Sequence, residues 1–219
     1  MARRRLHRPD HFGRLLLLLI LDLAVSGFHD STVVRVTNAL IGLVTVVVAV
    51  TVTGLRHRIS RWQIATVVTL AVVGLCFGAI QGEFPRGLSA ITSAIALAVI
   101  MTAAMGEVLD YAEVELQTLY GAMCVYLLLG LFFARVFITL DVLAPAPVFN
   151  VTGRLDPTYF SFTTLTTVGY GDITAIGPFA RRVAIMEGIA GQVFLATAVA
   201  RLVSLYRSPG ERTSETGAP

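Results

Sequence analysis

Lysine is absent from this sequence of 219 residues, and all 17 basic residues are arginine. Charged residues of both signs make up only 14% of the chain, whereas soluble proteins carry about 25%. A chain with so few charges cannot cover a water-exposed surface in the usual way. Hydrophobic residues account for 55%, and the mean hydropathy is +0.76. The composition excludes an ordinary soluble domain and predicts an integral membrane protein.

Residue groups that would support other functions are missing as well. The net charge is +3, but the arginines do not form the clustered face of a nucleic-acid-binding protein, so nucleic acid is not an expected partner. The sequence shows no constellation of nucleophile, base or metal ligands, which argues against an enzyme, and no cofactor is expected. The two cysteines, Cys76 and Cys124, lie in apolar runs, where they are expected to pack as small hydrophobic residues.

Six apolar segments approach or exceed the length of about 20 residues that a membrane helix needs. They are residues 15–28, 33–55, 62–80, 88–105, 119–143 and 178–206. The first is short and contains Asp22, which we expect to be a hydrogen-bonded structural acid facing the helix bundle; a counter-charge or an ion relay is the alternative. The sequence therefore predicts an all-α membrane protein with six transmembrane helices.

The distribution of arginine orients these helices. Ten arginines fall on one side of the predicted bilayer, in residues 1–14, in the 56–61 loop and at the C-terminal end, against five on the other side. The arginine-rich side is cytoplasmic by the positive-inside rule, so both termini are predicted to be cytoplasmic. The alternative for the N-terminus is a cleavable signal peptide, because arginines precede a short apolar run and the small residues Ala24 and Ser26.

The segment between the fifth and sixth predicted spans is too polar and too short to cross the membrane. Residues 156–167 predict a short helix, with Asp156 as its N-cap and Pro157 at its first position. This helix is expected to run inward as part of a re-entrant loop, so that its C-terminal end near Thr166 points at the membrane centre. The partial negative charge of that end would stabilise a cation.

The peptide that follows this helix has the composition needed to hold a bare K⁺ ion. A desolvated K⁺ requires oxygens in place of its hydration shell, and stacked rings of backbone carbonyls supply them. Glycine at alternate positions permits a positive φ, so Gly169 and Gly171 allow the carbonyls to face one axis. The Thr167 hydroxyl can add a further ring of oxygens. The Val168 and Tyr170 side chains are expected to point away from the axis and to support this carbonyl-lined segment, the selectivity filter, on its outer side.

Residues 119–207 therefore resemble the pore of the tetrameric potassium channels, with an outer helix, a pore helix, a filter and an inner helix. The resemblance implies a passive K⁺-selective channel in the cell membrane, surrounded by lipid. One chain supplies one filter strand, so four copies must meet in a homotetramer. The expected K⁺ ligands are Thr167, Val168, Gly169, Tyr170 and Gly171, and the expected filter supports are Tyr159, Phe160, Thr166 and Asp172.

The resemblance also assigns roles on the inner helix. Gly191 lies at the distance after Asp172 where the family often has a gating hinge, and Gly188 is the alternative. Residues at helical spacing beyond the hinge are expected to line the cavity, namely Gln192, Leu195 and Val199.

Four spans before the pore resemble the layout of voltage-gated channels, and we expect a bacterial member. A voltage sensor carries several arginines at every third position of its fourth helix. Residues 1–118 are therefore expected to form a four-span region and linker without sensor arginines, because residues 88–101 contain none. We predict that conductance depends only weakly on voltage. Residues 208–219 are polar and rich in Pro, Gly, Ser, Thr and Glu, which predicts a disordered tail.

Two other classes compete with a channel. Potassium transporters carry four related pore segments in one chain and usually keep one glycine of the filter, so a single full filter argues against them. A non-conducting scaffold or regulatory subunit would have a vestigial filter, which the intact peptide at residues 167–171 makes the weaker interpretation.

Arg135 and Glu187 are charges that a bilayer does not tolerate alone. Arg135 lies eight residues before the outer end of the fifth span at Leu143, and Glu187 lies eight residues after Phe179 near the outer end of the sixth, so both are placed about 12 Å deep. We predict an ion pair between them behind the filter, within one subunit or across two. The alternative is that Arg135 snorkels to the outer surface, while Glu187 is protonated or bonded to the pore helix through Thr163 or Thr164.

Overall fold

The computed structural model describes residues 11–26, 48, 68–70, 72–74, 76–77, 80, 82–110, 116–151 and 155–206. The elements with defined bounds are α1 (His11–Ser26), α2 (Glu83–Asp110), α3 (Leu116–Leu143), β1 (Phe149–Val151), α4 (Pro157–Leu165), β2 (Ile173–Ala175) and α5 (Pro178–Tyr206). All of the predicted second span except residue 48, about half of the third, the arginines of residues 3–8 and the predicted tail lie outside the described residues.

Three helices in the described ranges are long and apolar enough to cross a membrane. These spans are Phe84–Gly106 in α2, Thr118–Leu143 in α3 and Pro178–Arg201 in α5, and they correspond to the predicted fourth, fifth and sixth spans. Helix α1 has 16 residues, which extend only about 24 Å, against about 30 Å for the hydrocarbon core. The described part of the predicted first span is therefore shorter than a typical membrane-crossing helix.

Helices α1, α2 and α3 share one apolar core. Phe12, Leu15 and Leu19 of α1 repeat at helical spacing and are almost completely buried. The same cluster of buried residues includes small residues of α2, such as Ala96 and Ala104, and residues in the middle of α3, against which α1 packs. Because the α2 side chains are short, α2 and α3 approach closely, and this core joins the N-terminal region to the outer helix of the predicted pore.

A second core surrounds the short helix α4. Phe137 of α3, Phe149 of β1 and Phe160 of α4 form a ring cluster with centroid distances of 4.9–5.8 Å and edge-on geometry. Leu165, at the end of α4, is fully buried in the same core. Edge-on aromatic pairs are favourable beyond the area they bury, so this cluster holds α4 against α3 and against the segment that precedes it.

The described structure is mostly helical, as expected for the all-α class, and it also contains one small sheet. Strands β1 and β2 form a two-stranded antiparallel sheet, with Asn150 opposite Thr174 in the register. The pairing continues in the hydrogen bonds from the Ile176 and Gly177 amides to the Val148 carbonyl, at 2.9 and 3.1 Å. The sheet connects the segment before α4 to the segment after residues 167–171, which we call the filter peptide. Three-residue strands formed by segments so far apart leave little local signal in the sequence.

Candidate ion-conduction site

Helix α4 begins where the sequence predicts. The Asp156 side chain accepts hydrogen bonds from the amides of Thr158 and Tyr159, both at 3.0 Å, and Pro157 takes the first helical position. A carboxylate at this place satisfies amides that have no partner inside the helix. The prediction of an Asp156 N-cap is confirmed, and the helix axis leads directly into the filter peptide.

The filter peptide alternates between left-handed and ordinary backbone. Positive φ angles occur at Thr167 (61°), Gly169 (51°) and Gly171 (81°). The predicted positive φ at both glycines is confirmed. Thr167 was not expected to adopt this conformation, which is uncommon for a residue with a branched side chain. The alternation turns every second peptide unit and gives the backbone a shape that regular α or β structure does not provide.

The amides of this peptide are held from behind by α4. The Val168 and Gly169 amides both donate to the Thr163 carbonyl, at 2.9 and 3.1 Å, and the Thr167 amide donates to Thr164 at 3.0 Å. Among the described residues, the carbonyls of Thr167, Val168, Gly169 and Tyr170 accept no hydrogen bond. A stretch with engaged amides and free carbonyl oxygens is suited to binding a cation without its water shell.

Two predicted filter supports contact the outer part of the peptide. The rings of Tyr159 and Tyr170 stack with an interplanar angle of 5° and a centroid distance of 6.3 Å. The Tyr159 hydroxyl also interacts with the Asp172 carboxylate. Tyr159 therefore contacts the filter at Tyr170 and at Asp172.

The other two predicted supports act on α4 itself. Phe160 belongs to the aromatic cluster described above. The Thr166 hydroxyl donates to the Phe162 carbonyl at 2.6 Å and so closes the last turn of the helix. Both contacts hold α4 rather than the filter directly.

Of the two hinge candidates, only Gly191 is needed for close packing. A Cβ atom there would lie 2.7 Å from the Leu165 carbonyl oxygen and 2.8 Å from its side chain, whereas a Cβ at Gly188 would meet nothing within 4 Å. Helix α5 continues without a break through both positions. Gly191 lets α5 approach the C-terminal end of α4, and its role as a hinge stays a prediction.

The residues predicted to line a cavity are exposed in the single chain. Leu195 and Val199 are 40% and 56% exposed, and Gln192 is exposed beside them. They lie on α5 beyond the filter, at helical spacing. The lining of a cavity by these residues stays a prediction.

The predicted ion pair between Arg135 and Glu187 is wrong within one chain. Glu187 is fully buried, and its Oε1 atom contacts the Ser161 hydroxyl of α4 instead of a guanidinium group. Arg135 interacts electrostatically with Asp22 of α1, whose side chain is 6% exposed. Helical counting placed Arg135 and Glu187 at one depth but not at one angle around their helix axes. This electrostatic interaction favours the counter-charge alternative for Asp22.

Three residues at the contact between α3 and α4 were not predicted from the sequence. Ser161 is fully buried and donates to the Gly130 carbonyl of α3 at 2.7 Å. A Cβ at Gly130 would lie 2.6 Å from the Phe162 ring, and the Tyr126 hydroxyl of α3 donates to the Leu165 carbonyl at 3.3 Å. A glycine inside an apolar span was the available signal, because it often marks close packing.

Comparison with known proteins gives one family. Residues 122–208 match the family model described as ion channel, and the matched range includes most of α3, all of α4, the filter peptide and α5. Neither the curated proteins nor the solved structures contain a match to the chain. With three helices suited to crossing a membrane, this match supports a membrane protein of the ion-channel class and points to a channel, not an enzyme.

Proposed function

We propose that this chain is one subunit of a potassium-selective channel whose filter is formed by residues 167–171 of four copies. The observation that carries the proposal is the alternating positive φ of the filter peptide combined with its free carbonyl oxygens. K⁺ would pass down the axis between the four peptides, with carbonyl oxygens and the Thr167 hydroxyl replacing its water. No covalent chemistry is involved.

The surface of the single chain supports assembly into a ring. Tyr170 and Val168 are 72% and 52% exposed although they belong to the filter, and one peptide can surround only a quarter of an ion. Helix α5 also exposes large apolar side chains, including Met186 and Ile189, which need lipid or protein neighbours. A cyclic homotetramer would cover the filter and part of α5. The six-span layout and the cytoplasmic termini stay part of the proposal.

The test is ion selectivity of the purified protein in liposomes or planar bilayers. Reversal potentials measured with K⁺ on one side and Na⁺ on the other are expected to follow the K⁺ gradient. Equal permeation of the two ions would contradict the carbonyl-cage argument for this chain. The absence of any current, with tetramers present, would instead favour the scaffold interpretation.

A pair of alanine variants separates the effect of backbone conformation on K⁺ selectivity from the effect of adding a methyl group. Gly169 and Gly13 both have nothing within 4 Å of a built Cβ, but only Gly169 has a positive φ. Alanine costs about 1–2 kcal/mol in the left-handed region, so Gly169→Ala is expected to distort the filter and abolish K⁺ selectivity. Gly13→Ala, in helix α1, is the matched control and should conduct like the unaltered protein.

A further inference from the structure

The Ser161 hydroxyl contacts oxygen atoms on two other helices. Its Oγ atom lies 2.7 Å from the Gly130 carbonyl of α3 and also within hydrogen-bonding distance of Glu187 Oε1 of α5. Ser161 and Glu187 are both fully buried. Three helices therefore meet at one hydroxyl group behind the filter.

The number of protons at this junction is limited. A serine hydroxyl has one proton to donate, and a backbone carbonyl can only accept. If Ser161 donates to Gly130, its contact with Glu187 is a hydrogen bond only when the carboxyl group carries a proton and donates it to Ser161 Oγ. If Glu187 were ionised, either this contact or the one to Gly130 would bring two acceptor oxygens together without a proton.

The second carboxyl oxygen of Glu187 also indicates that this carboxyl group is protonated. Glu187 Oε2 is buried and has no hydrogen-bond partner, and no described basic side chain forms a salt bridge with Glu187. A buried carboxylate is tolerated when it is paired and fully hydrogen-bonded. The Glu187 environment lacks both features, whereas a neutral carboxyl leaves only a carbonyl-like oxygen without a partner.

We propose that Glu187 is a neutral positioning residue of the filter. Its carboxyl proton is donated to Ser161 Oγ, and the Ser161 proton is donated to the Gly130 carbonyl, so that one chain of hydrogen bonds joins α5, α4 and α3. Thr163, two residues beyond Ser161, holds the amides of Val168 and Gly169. This inference rests on the proposed potassium filter, because fixing α4 matters for selectivity only if residues 167–171 bind the ion.

Infrared difference spectroscopy tests the protonation state without any ion current. The tetramer at neutral pH is expected to show the carbonyl stretching band of a protonated carboxyl, and Glu187→Gln is expected to remove it. Asp22→Asn is the comparison, because Asp22 is the other buried acid among the described residues, and it should leave the Glu187 band in place. Loss of a carboxylate band instead, on replacing Glu187, would overturn the proposal.

Reversal potentials test the positioning role. Glu187→Gln keeps a donor for Ser161 and is expected to retain the K⁺/Na⁺ permeability ratio. Glu187→Leu has similar size but no donor, and because it leaves the buried Ser161 oxygen without its hydrogen bond from residue 187, it is expected to lower the ratio by about tenfold. Size-exclusion chromatography reports whether each variant still forms tetramers. Ser161→Ala, a smaller change that breaks the same chain, replaces Glu187→Leu if that variant does not assemble.

The outcomes of the two measurements are distinguishable. If the unaltered protein does not select K⁺, the proposed function fails, while the infrared result still decides the state of Glu187. If the unaltered protein selects K⁺ and the glutamine variant loses selectivity as far as the leucine variant, the positioning role fails. Unchanged selectivity in assembled tetramers of Glu187→Leu and Ser161→Ala would also overturn the positioning role.

Discussion

The contact between Gly191 and the end of α4 predicts a specific effect of adding one methyl group. In Gly191→Ala, the new Cβ would lie 2.7 Å from the Leu165 carbonyl oxygen, whereas ordinary contacts begin at 3.4 Å. The two helices must separate locally by about 0.7 Å. The Leu165 carbonyl also accepts the hydrogen bond from Tyr126, so its displacement disturbs the attachment of α4 to α3 as well.

The net change in stability is the difference of two effects. Alanine is favoured over glycine inside a helix by about 1 kcal/mol, and forcing an extra group into a packed interface costs about 1–3 kcal/mol. At Gly188, which has open space around its Cβ position, only the first effect operates. Gly188→Ala is therefore expected to raise the stability of the tetramer, and Gly191→Ala to be less stable than Gly188→Ala by about 1–3 kcal/mol.

Thermal unfolding of the detergent-solubilised tetramer measures this difference, and reversal potentials measure its effect on the filter. Gly191→Ala is expected to reduce K⁺ selectivity, while Gly188→Ala is not. Equal gains in stability for the two variants would refute the packing argument. Unchanged selectivity with an altered open probability in Gly191→Ala would favour the hinge interpretation instead.

Two further predictions concern the start of α4 and the response to voltage. Asp156→Ala removes both N-cap hydrogen bonds and is expected to destabilise the tetramer by about 1 kcal/mol; Asp156→Asn keeps an acceptor and should remain close to the unaltered protein in thermal unfolding. Helix α2 carries Arg86 in its first turn and no other arginine, so little charge can move through the field. Conductance is expected to depend weakly on voltage, and a steep conductance–voltage curve in planar bilayers would contradict this.

Features that depend on neighbours in the chain could be predicted before the structure. The N-cap at Asp156 and the positive φ at Gly169 and Gly171 follow from the conformations that those residues permit within a few bonds. The bounds of α5 agree with the predicted sixth span, because the length of an apolar run is a property of the sequence alone. The same local rules did not predict the positive φ of Thr167, whose amide donates to the Thr164 carbonyl at the end of α4.

Features that depend on the angle of a residue around its helix required the tertiary structure. From the sequence alone, Arg135 and Glu187 are predicted to lie at similar depths, since each residue adds a known rise along the axis. The sequence did not determine which neighbour each side chain faces, because small differences in helix rotation and crossing angle decide that contact. Only the packing of α3, α4 and α5 directed Glu187 toward Ser161 and made Gly191 a point of close contact with α4.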